Sequence, residues 1–281
     1  MAALGAVRDW PVETAAVGVT TADSVVERVG PVSRVFPLAS VTKLFTAYAV
    51  LVAVEEGTVA LDDPAGPPGS TVRHLLAHAS GLPLEEGGLA NPVGRRRVYS
   101  NVGFVAVGEL VAERAGMPFA EYLHEAVAVP LGLRSLALRG SASPAAGAVA
   151  NLEDLLAFGR ELLAPTLVTP ATVAEATTVA FPGLAGVVPG FGRQDPNDWG
   201  LGFELRDAKS PHWTGARNSP RTFGHFGRSG TFLWVDPDTG LACACLTDRD
   251  FGPWAATAWP TLSDTVLAAH APTPPAAPEP P

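Results

Sequence analysis

The stretch that most limits what this chain can become runs from Val41 to Glu56, where apolar residues fall on every face of a helix instead of one stripe. Such a helix has no side to give to water and must be buried nearly all round. Gly57 is a natural stop for it. One charged side chain, Lys43, stands in its first turn, where a solvated ammonium is hard to accommodate. Ser40 lies three residues earlier, and in a helix starting there the i and i+3 positions share a face, so amine and hydroxyl meet. A serine is a weak nucleophile without a base beside it, and a buried lysine of lowered pKa can be that base. A helix cap followed by a surface lysine would show the same four residues, Ser40-Val41-Thr42-Lys43, so the rest of the chain has to decide.

With 281 residues, of which 47% are hydrophobic and 17% charged, the composition is that of an ordinary globular protein with ample core. A net charge of −9 argues against a nucleic-acid partner, whose phosphates call for a basic face. Arg95-Arg96-Arg97 is too short to change that and reads as a solvated loop, or else as an anion-attracting rim. The apolar run Leu44–Val54 is well short of a bilayer span, and Arg8, Asp9 and Pro11 interrupt the N-terminus before a signal peptide could form. A cytoplasmic protein with no membrane partner is therefore expected. Cys243 and Cys245 point to one face of a strand and are badly placed to pair. His74 and His78 have the spacing of a helical metal pair, but the acid of a zinc-protease motif and a third ligand are both lacking. No metal and no cofactor are expected.

Along the chain, Glu13–Thr20 and Ser24–Val29 form a hairpin candidate. Leu61-Asp62-Asp63-Pro64 is a turn, and Thr71–His78 a short helix stopped by Gly81 and Pro83. Helices are predicted over Val102–Arg114, from Pro118 towards Ala126, from a capping Asn151 to Leu163, and after Thr169-Pro170. Residues 61–178 are thus read as mostly helical. Beyond Phe181 strand patterns take over: Gly200–Arg206, Thr222–Gly227, Thr231–Val235 and Leu241–Thr247, the last two joined by the turn Pro237–Gly240. Trp254–Ala269 is a terminal helix, and the Pro/Ala tail 271–281 is expected to stay disordered.

Three islands carry chemistry: Ser40-Val41-Thr42-Lys43, Tyr99-Ser100-Asn101 and His225-Phe226-Gly227. A nucleophile with a lysine, a tyrosine–asparagine pair, and a strand ending in glycine, in that order, resemble the serine β-lactamase/penicillin-binding-protein superfamily. Within it the chain is most similar to the class C β-lactamase-like branch, which also holds esterases, D-amino-acid peptidases and acyltransferases. Leu61–Pro64, Arg73–Leu82 and Pro130–Leu133 resemble scaffold segments of that family, so the likeness runs from the first hairpin to the last helix.

The resemblance implies an α+β fold of the β-lactamase/transpeptidase type: an antiparallel sheet flanked by N- and C-terminal helices, plus a mainly helical part. One catalytic domain would cover 1–270, with an α/β lobe from about 1–60 and 181–270 and a helical lobe from about 61–180. It implies Ser40 as nucleophile, with Lys43 and Tyr99 sharing the proton work and which of them is the base left open. Both would need a pKa far below the usual value near 10. Asn101 would hold Lys43 and the substrate. The oxyanion hole would use the N–H groups of Ser40 and Arg228, with His225 beside it and Gly227 leaving room for substrate against the strand. The third island departs from the lysine–threonine/serine–glycine pattern of β-lactam specialists: His225 replaces the lysine, and Phe226 the hydroxyl that would grip a carboxylate. No acidic deacylating residue of the class A kind is apparent. The leading expectation is therefore a hydrolase of small esters or amides working through a Ser40 acyl-enzyme. The alternatives are a β-lactamase or D-Ala-D-Ala carboxypeptidase/D-aminopeptidase, an acyltransferase, and a non-catalytic scaffold or binding protein. In each enzymatic case the partner is a small-molecule ester, amide or β-lactam.

Overall fold

Side chains alternate in and out of a six-stranded antiparallel sheet in the computed structural model, which describes residues 3–138 and 143–272. In chain order the elements are β1 (Ala15–Thr20), β2 (Val25–Val29), β3 (Phe36–Pro37), α1 (Thr42–Glu55), α2 (Val72–Leu76), α3 (Asn101–Ala115) and α4 (Phe119–Leu123). Then come β4 (Ala137–Leu138), β5 (Ala148–Ala150), α5 (Leu152–Leu163), α6 (Pro170–Ala176), β6 (Gly186–Val188), β7 (Gly192–Gln194) and β8 (Glu204–Leu205). β9 (Phe223–Gly227), β10 (Thr231–Asp236), β11 (Leu241–Thr247) and α7 (Pro253–His270) complete the chain. The main sheet has the order β2-β1-β11-β10-β9-β8, so the first hairpin joins the last strands directly.

The period-2 pattern gives this sheet two apolar faces. Val17, Val19, Phe232, Trp234, Cys243 and Cys245 pack with Trp259, Leu262 and Val266 of α7. Ala16, Leu233, Val235, Ala242, Ala244 and Leu246 pack with α5 and, beyond it, α1. Small residues let α5 sit close: a Cβ on Gly18 would come to 2.7 Å from Leu156, and one on Gly159 to 3.1 Å from the Ala242 methyl. Both cysteines are free and buried on one face of β11, and burial pushes their thiols up. The all-round apolar helix is buried from Thr42 through Ala53. No helix among the described residues is long and apolar enough to cross a membrane.

Helix ends follow their caps. The Asn151 side chain accepts from the Asp154 N–H, Thr169 accepts from the Thr172 N–H, and Gly116 closes α3 at φ 68°. Other expectations are corrected. The middle of the chain contributes β4 and β5 to a three-stranded sheet of order β3-β5-β4, in strands too short to show a period. Only Glu204–Leu205 of the predicted strand 200–206 pairs. The helix read over 71–78 ends at Leu76, and His78 takes φ 54°, so His74 and His78 do not share a helix face. Arg97 is not solvated: its buried guanidinium donates to the carbonyls of Ala77, Ala180, Phe181 and Asn197 and clasps three loops together. Of the tail read as disordered, residues 273–281 lie outside the described residues.

Candidate active site

The nucleophile candidate sits on a 3₁₀ turn, Ala39–Val41, that feeds into α1. Ala39 holds φ 45°, a left-handed conformation that costs a non-glycine residue on the order of 1–2 kcal/mol and persists only where its surroundings enforce it. The enforcement comes from β9. A Cβ on Gly227 would stand 2.4 Å from the Leu38 carbonyl and 3.2 Å from the Ala39 methyl. The space expected for substrate at Gly227 is thus occupied by the turn that carries Ser40, and the glycine is what lets turn and strand touch.

Lys43 follows on the first turn of α1, fully buried. Its Nζ donates to Asn101 Oδ1 at 2.6 Å and to the Ala145 carbonyl at 2.9 Å, and lies 3.5 Å from Ser40 Oγ. It also stands over the rings of Tyr99, at 4.7 Å, and Phe104, at 5.5 Å. Burial pulls the amine down from 10.5 to about 7, against the field of Glu85. Two obligate acceptors take two protons of the amine, which leaves the third position of the nitrogen turned to Ser40.

Tyr99 precedes α3, whose N-cap, Ser100, accepts from the Gly103 N–H and donates to the Pro83 carbonyl. That cap sets the phenol 2.8 Å from Ser40 Oγ. Contrary to the expectation of a depressed value, burial pushes the phenol above its ordinary pKa, only partly offset by the Ser40 bond. Tyr99 is a neutral hydroxyl here. A ring of side chains encloses it: His78 at 4.7 Å, His225 at 5.7 Å and Trp199 at 5.9 Å between centroids.

Both histidines are neutral, with their tautomers fixed by partners. His225 Nδ1 faces the Phe226 carbonyl at 2.6 Å, which can only accept, so Nδ1 carries the proton and Nε2 offers a lone pair 3.4 Å from the Tyr99 hydroxyl. Burial lowers His225 to about 3, assisted by Lys43. His78 Nδ1 accepts from the Ser100 N–H, and burial holds this ring well below 6.5. Its Nε2 has no hydrogen-bond partner among the described residues. His74 instead stacks on Phe181 at 4.2 Å, and no cluster of three or more metal-ligating side chains occurs among the described residues.

Beyond Gly224 the outer edge of β9 has no strand partner among the described residues. A cavity of about 460 Å³ opens there, lined by Ser40, Tyr99, Asn101, His225, Phe226 and Arg228 among others. The amides of Ser40 and Arg228 have no protein acceptor among the described residues. The Arg228 side chain points to solvent and faces Asp250 at 3.7 Å. Of the seven residues singled out in the sequence, Ser40, Tyr99, Asn101, His225 and Arg228 line this cavity, with Lys43 beneath it and Gly227 behind the turn. Two residues that no sequence motif singles out also stand at the site. Trp199 packs edge-on to His225 and His78. Glu85 lines the cavity and accepts from Asn101 Nδ2 at 3.0 Å. Its loop carries no motif; the signal would have been a carboxylate just before the Tyr99 island in a Gly-rich segment.

Comparison with known proteins bears on the family and the fold. Residues 1–267 match the family model described as Beta-lactamase. The crystal structure of a β-lactamase from Mycobacterium bovis is 54% identical, covering 96% of this chain and 99% of that one, with a TM-score of 0.94. A simvastatin synthase variant from Aspergillus terreus, 18% identical, shares the fold at a TM-score of 0.77 over 94% of this chain and 92% of that one. Penicillin-binding protein 4* of Bacillus subtilis is 28% identical over 135 residues, 36% of this chain and 30% of that protein. Matches to the curated relatives span about a third of their length. With its sheet, its helices and a model match over nearly its whole length, the chain belongs to the Beta-lactamase family.

Proposed function

We propose that the protein is a serine hydrolase that forms an acyl-enzyme on Ser40 from small esters or amides. The observation that carries this reading is the hydrogen-bonding of Lys43. With Asn101 Oδ1 and the Ala145 carbonyl occupied, the free amine directs its lone pair at Ser40 Oγ, and burial gives it a pKa of about 7. That is the value a general base needs at neutral pH.

In the first step Lys43 takes the Ser40 proton as Oγ attacks the carbonyl carbon, and the amides of Ser40 and Arg228 receive the developing oxyanion. Tyr99, protonated and bonded to Ser40 Oγ, gives its proton to the leaving oxygen or nitrogen as the bond to carbon breaks. The phenolate so formed lies beside the Lys43 ammonium, whose proton restores it. Water then repeats the sequence on the ester of Ser40 and releases the acid. A second reading, β-lactam hydrolysis, is favoured by the 54% identical β-lactamase. Against it stands Phe226, packed among Phe251, Trp213 and Trp259, where a hydroxyl would meet a carboxylate.

The test is acylation. A fluorophosphonate and a short p-nitrophenyl ester are expected to add one acyl or phosphonyl group at Ser40, seen by mass, with turnover of the ester. Ser40→Ala should abolish both. Labelling that survives Ser40→Ala would overturn the proposal. Turnover of a chromogenic cephalosporin as fast as that of the ester would favour the second reading.

A further inference from the structure

The geometry points to Glu85 as the specificity-determining residue of the cavity, selecting substrates that carry an ammonium group near the scissile carbonyl. This deepens the proposed function and rests on it. Glu85 lines the same cavity as Ser40. Its Oε1 accepts from Asn101 Nδ2, and the other end of that amide, Oδ1, accepts from Lys43. The carboxylate is thus tied to the lysine side of the nucleophile. Asn101 N–H also donates to the Leu84 carbonyl at 3.0 Å, which fixes the loop next to Glu85 against the start of α3.

No cationic side chain lies within ion-pair distance of Glu85 among the described residues. Among the described residues the cavity's one lining cation, Arg228, already faces Asp250. The lining histidine, His225, is neutral. An anionic substrate would meet a bare carboxylate on one wall and the Phe226 ring on another. An ammonium would gain a charge-assisted hydrogen bond to the free Oε2. Its arrival would also cancel the Glu85 field that raises the Lys43 pKa, so binding frees the base.

The experiment compares isosteric pairs. Phenyl esters of D- and L-alanine are set against phenyl isobutyrate, which has a methyl in place of the ammonium. A 2-(dimethylamino)ethyl ester, protonated at neutral pH and so able to donate its N–H, and its 3-methylbutyl isostere test an ammonium on the alcohol side instead. One pair should show kcat/KM about five- to tenfold higher for the cation, the scale of a single partly exposed charged hydrogen bond. The pair that responds shows on which side of the carbonyl the ammonium sits. Glu85→Gln keeps an acceptor for Asn101 and removes only the charge, so it should abolish the ratio. Glu86→Gln, one residue along the loop, should not.

Binding gives a readout free of turnover. In Ser40→Ala protein, alaninamide should bind more tightly than isobutyramide, and addition of Glu85→Gln should remove the difference. Equal binding of the two amides, with ester ratios unmoved by Glu85→Gln, would overturn the inference. Absence of any ester turnover with the alaninamide preference intact would overturn the proposed hydrolysis and leave the ammonium site standing.

Discussion

Lys43 costs the fold what it gives the site. Burial lowers the amine from 10.5 to about 7, and the groups facing it are Glu85, which opposes that shift, and the neutral Tyr99, His78 and His225. Below pH 7 the amine is charged in both folded and unfolded chains, and the folded state bears the whole cost of burying the charge. Between 7 and 10.5 the unfolded chain holds a proton that the folded one lacks, so stability rises with pH. Relative to Lys43→Met, the protein should therefore gain about 3 kcal/mol between about pH 7 and pH 9.5, at about 1.4 kcal/mol per pKa unit. Urea unfolding of the two proteins across that range checks it; parallel stability curves would show that the buried amine keeps its proton throughout and that its pKa is not lowered. The same titration governs the rate. Hydrolysis of a neutral ester should rise with pH to a plateau through about 7. In Lys43→Arg, which cannot shed its proton, the rate should fall by roughly 10²–10⁴ and lose that limb.

The turn Ala39–Val41 and strand β9 form one working unit, and Gly227 is the point where they touch. Gly227→Ala would force the Leu38 carbonyl and the Ala39 methyl away and swing Ser40 out of line with Tyr99. A misplacement near 1 Å costs about 10² in rate, so kcat is expected to fall by that order while the unfolding midpoint changes little. An unfolding midpoint that collapses together with the rate would mean that the contact serves the fold first. Elements of this size were legible in the sequence wherever a local device defines them. Asn151, Thr169 and Gly116 mark helix ends through their own side chains or lack of one. β3, β4 and β5 were not, because two or three residues show no period and pair only through partners distant in sequence. The three motif islands were visible because each is contiguous. The contact of Glu85 with Asn101 was not, since a loop conformation sixteen residues upstream creates it.

At the scale of the molecule, a second charged centre lies behind the cavity and holds the segment that carries Trp199. Glu204, on β8 and paired across an isolated bridge with Trp199, accepts from His212 Nε2 at 2.9 Å and Trp213 Nε1 at 2.8 Å. The Lys209 ammonium bonds Glu204 Oε1 and the carbonyls of Asp198 and Leu205, all of it buried. One carboxylate thereby gathers residues 198–213 against the sheet. Burial alone would raise Glu204, but His212 and Lys209 outweigh it and hold the group to about 2. A carboxylate depressed in this way stabilises the fold fully above its unfolded value near 4.5, and that contribution drains away as pH falls towards 2. Removing the charge with Glu204→Leu strands the Lys209 ammonium and should cost about 3–5 kcal/mol at neutral pH. Glu204→Gln keeps the shape and loses the charge, so its deficit against the unsubstituted protein should be plain at pH 7 and should narrow steadily between 4.5 and 2. Urea midpoints of the two proteins over that range decide the matter. A deficit that stays constant down to pH 2 would show that the network holds Trp199 by shape and hydrogen bonding alone, with the charge on Glu204 contributing nothing.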